Sequence, residues 1–131
     1  MIKTLLVDDN ALFRERLKDF LAADPAIEII GEAGDGLEAL EKAAQLNPDL
    51  VLMDVKMNEM NGLQTTAYLR DKLPNTRVII LSRYDLQEYR QAAKAKGASA
   101  YVVKKDLVET LLPAIFSTYG TRRITDVRRE S

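Results

Sequence analysis

The 131-residue sequence contains no cysteine, no histidine and no tryptophan. Without cysteine, the chain can form no disulfide bond, no thiolate metal site and no cysteine nucleophile. The absence of histidine excludes imidazole acid–base catalysis, the serine–histidine triad and nearly every transition-metal site. Any chemistry must therefore rest on carboxylates, lysines, hydroxyl groups and hard cations bound through oxygen.

The sequence also lacks long apolar runs and an excess of charge of either sign. No run approaches the roughly 18 apolar residues of a membrane-spanning helix, and no signal-peptide pattern opens the chain. The 19 Lys and Arg residues nearly balance the 20 Asp and Glu residues, giving a formal net charge of −1. We therefore expect a soluble, cytoplasmic protein that neither enters a membrane nor binds nucleic acid directly.

Five short apolar runs alternate along the chain with five segments of helical periodicity. The runs are continuous, which is typical of parallel strands buried on both faces. They cover residues 2–7, 27–31, 50–53, 78–81 and 100–103, and the helical segments cover 11–23, 37–46, 63–73, 86–96 and 107–119. This alternation predicts an α/β fold, a three-layer sandwich with right-handed crossovers.

The fourth helical segment differs from the others in its small apolar content. Leu86 and Tyr89 are its large apolar residues, and alanines supply the rest. Alanine favours the helical conformation but offers little area to bury. We therefore expect a helix that forms readily and packs weakly.

Polar residues follow four of the five predicted strands. Asp8 and Asp9 follow the first strand, Asp54 the third, Ser82 the fourth and Lys104 the fifth. Each one alone is a common helix-capping, turn or surface residue, but the carboxyl ends of parallel strands share one edge, where ligands bind. Crowded carboxylates favour a hard cation such as Mg²⁺, and one of them can then attack a phosphoryl group held by a lysine and a hydroxyl.

Together with neighbouring motifs, these residues resemble a response-regulator receiver domain of two-component signalling. The matching segments are residues 5–9, 49–54, 61–62, 80–82 and 97–104. The resemblance covers a receiver domain over residues 1–118 and leaves 119–131 as a C-terminal linker or tail. It implies a flavodoxin-like (βα)5 sandwich whose parallel sheet has the strand order 2-1-3-4-5.

The resemblance also implies roles for the acids. Asp54 is similar to the phosphoacceptor of the family. Asp9 and Asp54, together with the backbone carbonyl of Lys56, resemble the direct Mg²⁺ ligands, and Asp8 resembles the ligand that acts through a water molecule.

Three further residues resemble the switch machinery of the family. Ser82 matches the switch hydroxyl, Lys104 the lysine that binds the phosphoryl group, and Tyr101 the switch aromatic. We expect three residues to modulate the site from its rim: Lys56, Arg83 and Tyr84.

The sequence departs from the family pattern at three places. Asn58 stands where a proline is common, which predicts a less rigid loop, and Arg83 follows the switch hydroxyl where a small residue is usual. Lys105 and Asp106 follow Lys104, where proline is frequent. This last segment is similar to receivers that precede LuxR-type helix-turn-helix domains.

The resemblance implies a switch that takes a phosphoryl group from a histidine kinase. Its expected output is transcription, through a DNA-binding domain outside this chain, and a homodimer is possible. The alternative is a stand-alone receiver that acts by protein–protein interaction or in a phosphorelay. The tail carries four arginines against two acids and no apolar stripe, so we expect a linker and not a recognition helix.

Other classes of protein fit the sequence less well, and we expect no enzymatic activity beyond self-phosphorylation and autodephosphorylation. A haloacid-dehalogenase-type phosphatase needs a second aspartate two residues after the nucleophile, where this chain has Lys56. A flavodoxin-type electron carrier needs a phosphate-binding loop, which Asp8 and Asp9 would oppose by repulsion. An interaction module with an inactive site would not need Asp54 and Lys104.

Overall fold

A computed structural model of the chain describes residues 1–56 and 61–119. The elements follow one another as β1 (Ile2–Val7), α1 (Ala11–Leu21), β2 (Ile27–Ala33), α2 (Gly36–Leu46), β3 (Leu50–Asp54), α3 (Gly62–Lys72), β4 (Arg77–Ser82), α4 (Gln87–Ala95), β5 (Ala100–Val103), a 3-10 turn (Lys104–Asp106) and α5 (Leu107–Thr118). The strands form one parallel sheet in the order β2-β1-β3-β4-β5. The predicted fold class and strand order are confirmed.

The sheet separates two apolar layers because successive strand residues point to opposite faces. Val51 and Met53 of β3 pack in one cluster with buried residues of α2, α3 and α4. Leu50 and Leu52 pack in the other cluster with α1 and α5. Every residue of β3 is buried, which explains why the strand reads as a continuous apolar run.

Two of the loops at the carboxyl edge of the sheet lead directly into capped helices. The side chain of Asn10 accepts a hydrogen bond from the amide of Phe13 and caps α1. Asn61 caps α3 in a reciprocal arrangement with Gln64. These caps satisfy amides that the first turn of a helix leaves unpaired, and they define where α1 and α3 begin.

Some boundaries differ from the sequence prediction. Strand β2 continues two residues further, to Ala33, because Glu32 and Ala33 pair with Leu6 and Val7 of β1. Asp54 and Ser82 are the last residues of β3 and β4 and do not lie beyond them. The predicted loop effect of Asn58 falls outside the described residues.

Helix α5 contains Pro113 in its interior, where a proline removes a backbone hydrogen bond. Pro113 is exposed, and the helix continues to Thr118. Leu107, Leu111 and Ile115 form a buried stripe on the opposite side. The packing of this stripe against the sheet outweighs the lost hydrogen bond.

Tyr119 ends the described part of the chain at the edge of the sheet opposite to the candidate site. Its hydroxyl donates a 2.6 Å hydrogen bond to the backbone carbonyl of Asp49, which directly precedes β3. Burial raises the pKa of Tyr119 to about 12. The first residue of the predicted tail is therefore fixed to the domain, whereas residues 120–131 are outside the described range. Across residues 1–56 and 61–119, no helix has the length and apolar character needed to cross a membrane.

Helix α4 is attached to the rest of the domain through a small buried area. Of its nine residues, which the structure describes in full, only Ala93 is buried. Leu86, at the N-cap position, is 44% exposed and provides no side-chain hydrogen bond to the first turn. The expectation of weak packing agrees with these contacts.

We predict that backbone amides of α4 exchange with solvent faster than those of α2. Helix α2 is a suitable reference because its N-cap residue Asp35 is hydrogen-bonded to Glu38 and both Ala39 and Ala43 are buried. Local opening of α4 exposes less apolar surface and therefore costs less free energy. Hydrogen exchange followed by mass spectrometry measures the difference, and equal protection of the two helices would contradict the prediction.

Candidate functional site

Three aspartates lie together at the carboxyl edge of the sheet. One carboxylate oxygen from each of Asp8, Asp9 and Asp54 lies within 4.8 Å of the other two. Asp8 is 3% exposed and Asp54 is 9% exposed, whereas Asp9 is open to solvent. The sequence predicts that these three side chains lie at one edge of the sheet, and the structure places them there.

The loop that carries Asp8 and Asp9 is held from two directions. The Asp8 carboxylate accepts a hydrogen bond of 2.9 Å from the amide of Asn10. The Asp8 backbone carbonyl accepts a hydrogen bond from the guanidinium group of Arg14, which also pairs with Glu32 at 2.9 Å. The orientation of the acidic loop is therefore tied to α1 and β2.

Lys104 provides the positive charge of the cluster. Its Nζ atom lies 2.7 Å from Asp8 Oδ2 and 3.3 Å from Asp54 Oδ1. The same atom lies 4.1 Å from the centre of the Phe13 ring. The lysine side chain is 17% exposed, so these interactions are formed largely out of contact with water.

The ionisation of Asp54 reflects its surroundings. Burial raises the pKa of the Asp54 carboxyl to about 6, and the negative charges of Asp8 and Asp9 act in the same direction. The ammonium group of Lys104 opposes this shift. The metal-free site thus holds more negative charge than one lysine neutralises, which favours a bound cation.

The backbone of Tyr84 is held by both residues that resemble the switch pair. Its amide donates a 3.0 Å hydrogen bond to the hydroxyl of Ser82. Its carbonyl accepts a 2.7 Å hydrogen bond from the hydroxyl of Tyr101. Ser82 and Tyr101 therefore act on the same peptide segment at the start of the β4–α4 loop.

Aromatic and cationic side chains surround this segment. The Tyr84 ring stacks on Tyr89 with centroids 5.5 Å apart, and the Lys56 ammonium lies 5.2 Å from the Tyr84 centroid. The guanidinium group of Arg90 lies 5.0 Å from the centre of the Tyr101 ring. Lys56 and Tyr84 were predicted as rim residues, whereas the contacts of Tyr89 and Arg90 were not predicted.

The site opens to solvent through a cavity of about 300 Å³. Among the residues predicted for the site, which the structure describes in full, only Tyr101 does not line this cavity. Phe13 lines it as well, although its place in the helical segment 11–23 gave no sign of a role in the site. The cavity has room for a phosphoryl group beside a hydrated cation.

Gly62 allows α3 to begin directly against the end of β3. A Cβ atom at this position would lie 1.9 Å from the backbone carbonyl oxygen of Asp54. The Gly62 amide also donates a 2.8 Å hydrogen bond to the carbonyl of Val55. The residue following Asn61 must therefore lack a side chain if Asp54 is to keep its position.

Comparison with known proteins agrees with this geometry. Residues 4–116 match the response regulator receiver domain family. The response regulator protein VraR of Staphylococcus saprophyticus is 35% identical over 125 residues, which cover 94% of this chain and 59% of the relative.

Two solved structures show the same fold. A LuxR-family DNA-binding response regulator from Staphylococcus aureus superposes with a TM-score of 0.85 at 26% identity and covers 92% of this chain and 100% of that one. The CheX–CheY–BeF3–Mg²⁺ complex from Borrelia burgdorferi gives 0.85 at 26% identity, covering 91% and 90%.

The chain belongs to the response regulator receiver domain family. Its relatives include regulators of the LuxR type, as the segment after Lys104 predicted. The chain spans about half the length of the curated relatives that it matches, with 59% of VraR and 48% of a DegU protein covered.

We predict that Asp54→Asn stabilises the metal-free protein at pH 7.5 but has little effect near pH 4. The folded state binds the Asp54 proton more tightly than the unfolded state, because the pKa is raised from its usual value to about 6. Ionisation therefore destabilises the fold progressively as the pH rises from about 4 to 6, and the full penalty remains above that range. Removing the charge should add up to about 3 kcal/mol to the free energy of unfolding at pH 7.5.

Urea denaturation of metal-free protein at several pH values measures this difference. Asp71→Asn is the matched control, since Asp71 is exposed on α3 and its one ion pair within the described part of the chain is with Lys72, at 4.0 Å. A gain that does not change between pH 4 and pH 7.5, or a gain shared by the control, would contradict the prediction.

Proposed function

We propose that Asp54 accepts a phosphoryl group from a histidine kinase and that this modification switches an output. The observation that carries the proposal is the Lys104 ammonium, which lies within 3.3 Å of both Asp8 and Asp54 at one wall of a cavity that Ser82 also lines. A nucleophile, a cation and a hydroxyl thus face one space. Phosphoryl transfer needs this combination, because charge develops on the transferred oxygens.

The acidic cluster fits a Mg²⁺ ion. Mg²⁺ prefers oxygen ligands and usually keeps several waters beside one or two carboxylates, and three carboxylate oxygens lie within 4.8 Å of one another. We assign Asp9, Asp54 and the Lys56 carbonyl as direct ligands and Asp8 as a ligand through water. The bound ion would supply positive charge that offsets the repulsion between the acids and the incoming phosphoryl group.

In the proposed transfer, a carboxylate oxygen of Asp54 attacks the phosphorus of a phosphohistidine. The new O–P bond forms while the P–N bond breaks, and the departing imidazole nitrogen keeps the electron pair and takes a proton from solvent. The Lys104 ammonium and the Ser82 hydroxyl donate hydrogen bonds to the phosphoryl oxygens. For Lys104, this requires exchange of its present carboxylate partners for phosphoryl oxygens.

The contacts of Ser82 indicate how the modification reaches α4. In the unmodified protein, the Ser82 hydroxyl accepts a hydrogen bond from the Tyr84 amide. If the hydroxyl turns toward a phosphoryl group, it leaves this amide, and the β4–α4 loop must find a new arrangement. The Tyr101 contact with the Tyr84 carbonyl and the Tyr84–Tyr89 stack transmit that change to α4.

The proposed output is transcription, through a DNA-binding domain outside residues 1–131 that is joined to the receiver at residues 1–118 by the linker 119–131. A relative described as a LuxR-family DNA-binding response regulator supports this assignment. In this reading the protein acts in the cytoplasm, can form a homodimer and does not bind nucleic acid through the receiver. A stand-alone receiver that works by protein–protein contact is the second candidate, supported by the similarity to CheY in its complex with CheX.

We predict that acetyl phosphate and Mg²⁺ add one phosphoryl group to the native chain and none to Asp54→Asn. The amide of asparagine cannot serve as the nucleophile, so incorporation should fall by at least about 100-fold, equivalent to more than about 2.7 kcal/mol in the barrier. Intact-mass spectrometry measures the added phosphoryl group. Asp71→Asn, the exposed control, should be labelled like the native protein, and labelling of Asp54→Asn would disprove the assignment.

Arg83 should slow both the gain and the loss of the phosphoryl group. Its side chain is exposed at the rim of the cavity, where it can cover the site against donors and water. Attraction of an anionic donor by an exposed arginine contributes little at physiological ionic strength. We predict that Arg83→Ala raises both rates by about 3- to 10-fold.

The two rates are measured with the labelling assay at matched Mg²⁺ concentration. Lys94→Ala is the control for loss of a positive charge, because Lys94 is exposed on α4 and does not line the cavity. Unchanged or lower rates in Arg83→Ala would show that this side chain does not cover the site.

A further inference from the structure

We propose that Phe13 is a positioning residue whose ring face keeps the Lys104 ammonium in the site when a divalent cation occupies the carboxylates. The inference rests on the proposed function for its effect on phosphorylation rate. Its central statement concerns the contact between the two side chains and can be tested without phosphorylation.

The geometry is that of a close cation–π interaction. The Lys104 Nζ atom lies 4.1 Å from the centre of the Phe13 ring, well inside the distance of about 6 Å at which such pairs attract. The lysine side chain is 17% exposed, so little water competes for the ring face. Attraction between a cation and a ring is stronger where both are shielded from water.

The Phe13 ring is fixed independently of Lys104. The amide of Phe13 donates a hydrogen bond to Asn10 Oδ1, which places the residue in the first turn of α1. The side chain packs against the apolar cluster that includes Leu17 of the same helix. The ring is therefore in position before Lys104 or any ligand acts on it.

Lys104 needs an uncharged partner because a bound cation would compete with it for the carboxylates. Lys104 pairs with Asp8 and Asp54, and these are two of the three carboxylates that can surround a cation. A divalent cation draws on the same oxygens and repels the ammonium group. The ring carries no net charge and is not a ligand for Mg²⁺, so its attraction for Lys104 persists when the carboxylates change partners.

The contact also blocks one route by which Lys104 could leave. A lysine side chain is long and flexible, and an ammonium group released by its carboxylates would turn toward water. The ring covers one side of the ammonium group and lines the cavity wall. The ammonium therefore remains where it can meet the phosphoryl oxygens.

The first test uses nuclear magnetic resonance on the metal-free native protein and on the protein with saturating Mg²⁺. Protons on Cε of Lys104 lie near the ring face and should show an upfield shift. We expect this shift to be lost in Phe13→Leu and kept in Phe20→Leu, which removes a partly buried ring of the same helix that does not line the cavity. In the native protein, the shift should persist on addition of Mg²⁺.

Two results of this test would overturn the proposal. An absence of the shift in the metal-free protein would show that the contact does not form in solution. A shift that disappears with Mg²⁺ would show that the carboxylates alone hold the lysine. Neither result depends on whether Asp54 is phosphorylated.

The second test measures the rate of labelling by acetyl phosphate at saturating Mg²⁺. Phe13→Leu should lower the rate by about 3- to 10-fold, and Phe13→Tyr should restore it to within about 2-fold, because tyrosine keeps a ring that attracts cations. Fluorinated phenylalanines introduced at position 13 should lower the rate in step with the number of fluorines, since fluorine withdraws charge from the ring face. The same series at Phe20 should have no effect.

A purely structural role of Phe13 would change the melting temperature of Phe13→Leu but would give no graded response to fluorination. That result would overturn the proposal. If the native protein takes up no label at all, the proposed function fails, and the resonance experiment still decides the role of Phe13.

Discussion

The crowding of three carboxylates around a single lysine at one edge of the sheet is the constraint on which the site depends. Folding brings one carboxylate oxygen from each of Asp8, Asp9 and Asp54 within 4.8 Å of the other two, and Lys104 neutralises only part of their charge. The burial of the two apolar layers must offset this repulsion. Burial of the Asp54 carboxyl, together with the charges of Asp8 and Asp9, raises the pKa of Asp54. In the proposed function, a bound cation and then a phosphoryl group would each change that balance, and the acids would be the starting point of a switch.

The link from the site to the surface runs through one peptide segment. Ser82 holds the amide of Tyr84 and Tyr101 holds its carbonyl, while Tyr89 of α4 packs on its ring. Apart from this contact, α4 buries little apolar surface, so few packing contacts oppose its movement when this segment changes. Sequence and structure agree here, because the helix with few large apolar residues in the sequence is the helix after Ser82 in which only Ala93 is buried.

The fold and the acidic cluster could be predicted because they depend on local signals. Continuous apolar runs marked the strands, and the residues that end parallel strands meet at one edge. The β2 extension could not be predicted, since Glu32 and Ala33 become strand through pairing with β1. Helix α5 continues past Pro113 because its buried apolar residues pack against the sheet, although proline disfavours helix interiors.

The contacts of cations with rings and carbonyls could not be predicted either. Lys104 over Phe13 and Arg90 over Tyr101 join residues on different elements, and their geometry depends on side-chain conformation and not on spacing. The contact of Arg14 with the Asp8 carbonyl joins a helix to a neighbouring loop. An arginine on a helix next to an acidic loop is too common a pattern to identify such a bond.

The hydrogen bond between Tyr119 and the Asp49 carbonyl holds the end of α5 at the side of the sheet opposite to the acidic cluster. Asp49 directly precedes β3 and Asp54 ends it, so the length of a five-residue strand, about 16 Å, lies between them. A domain joined after Tyr119 would begin at the far side of the sheet from the Asp54 carboxylate. In the proposed function, a phosphoryl group on Asp54 would lie about one strand length from that junction, and a displacement of helices or a newly exposed surface would carry the signal across this distance.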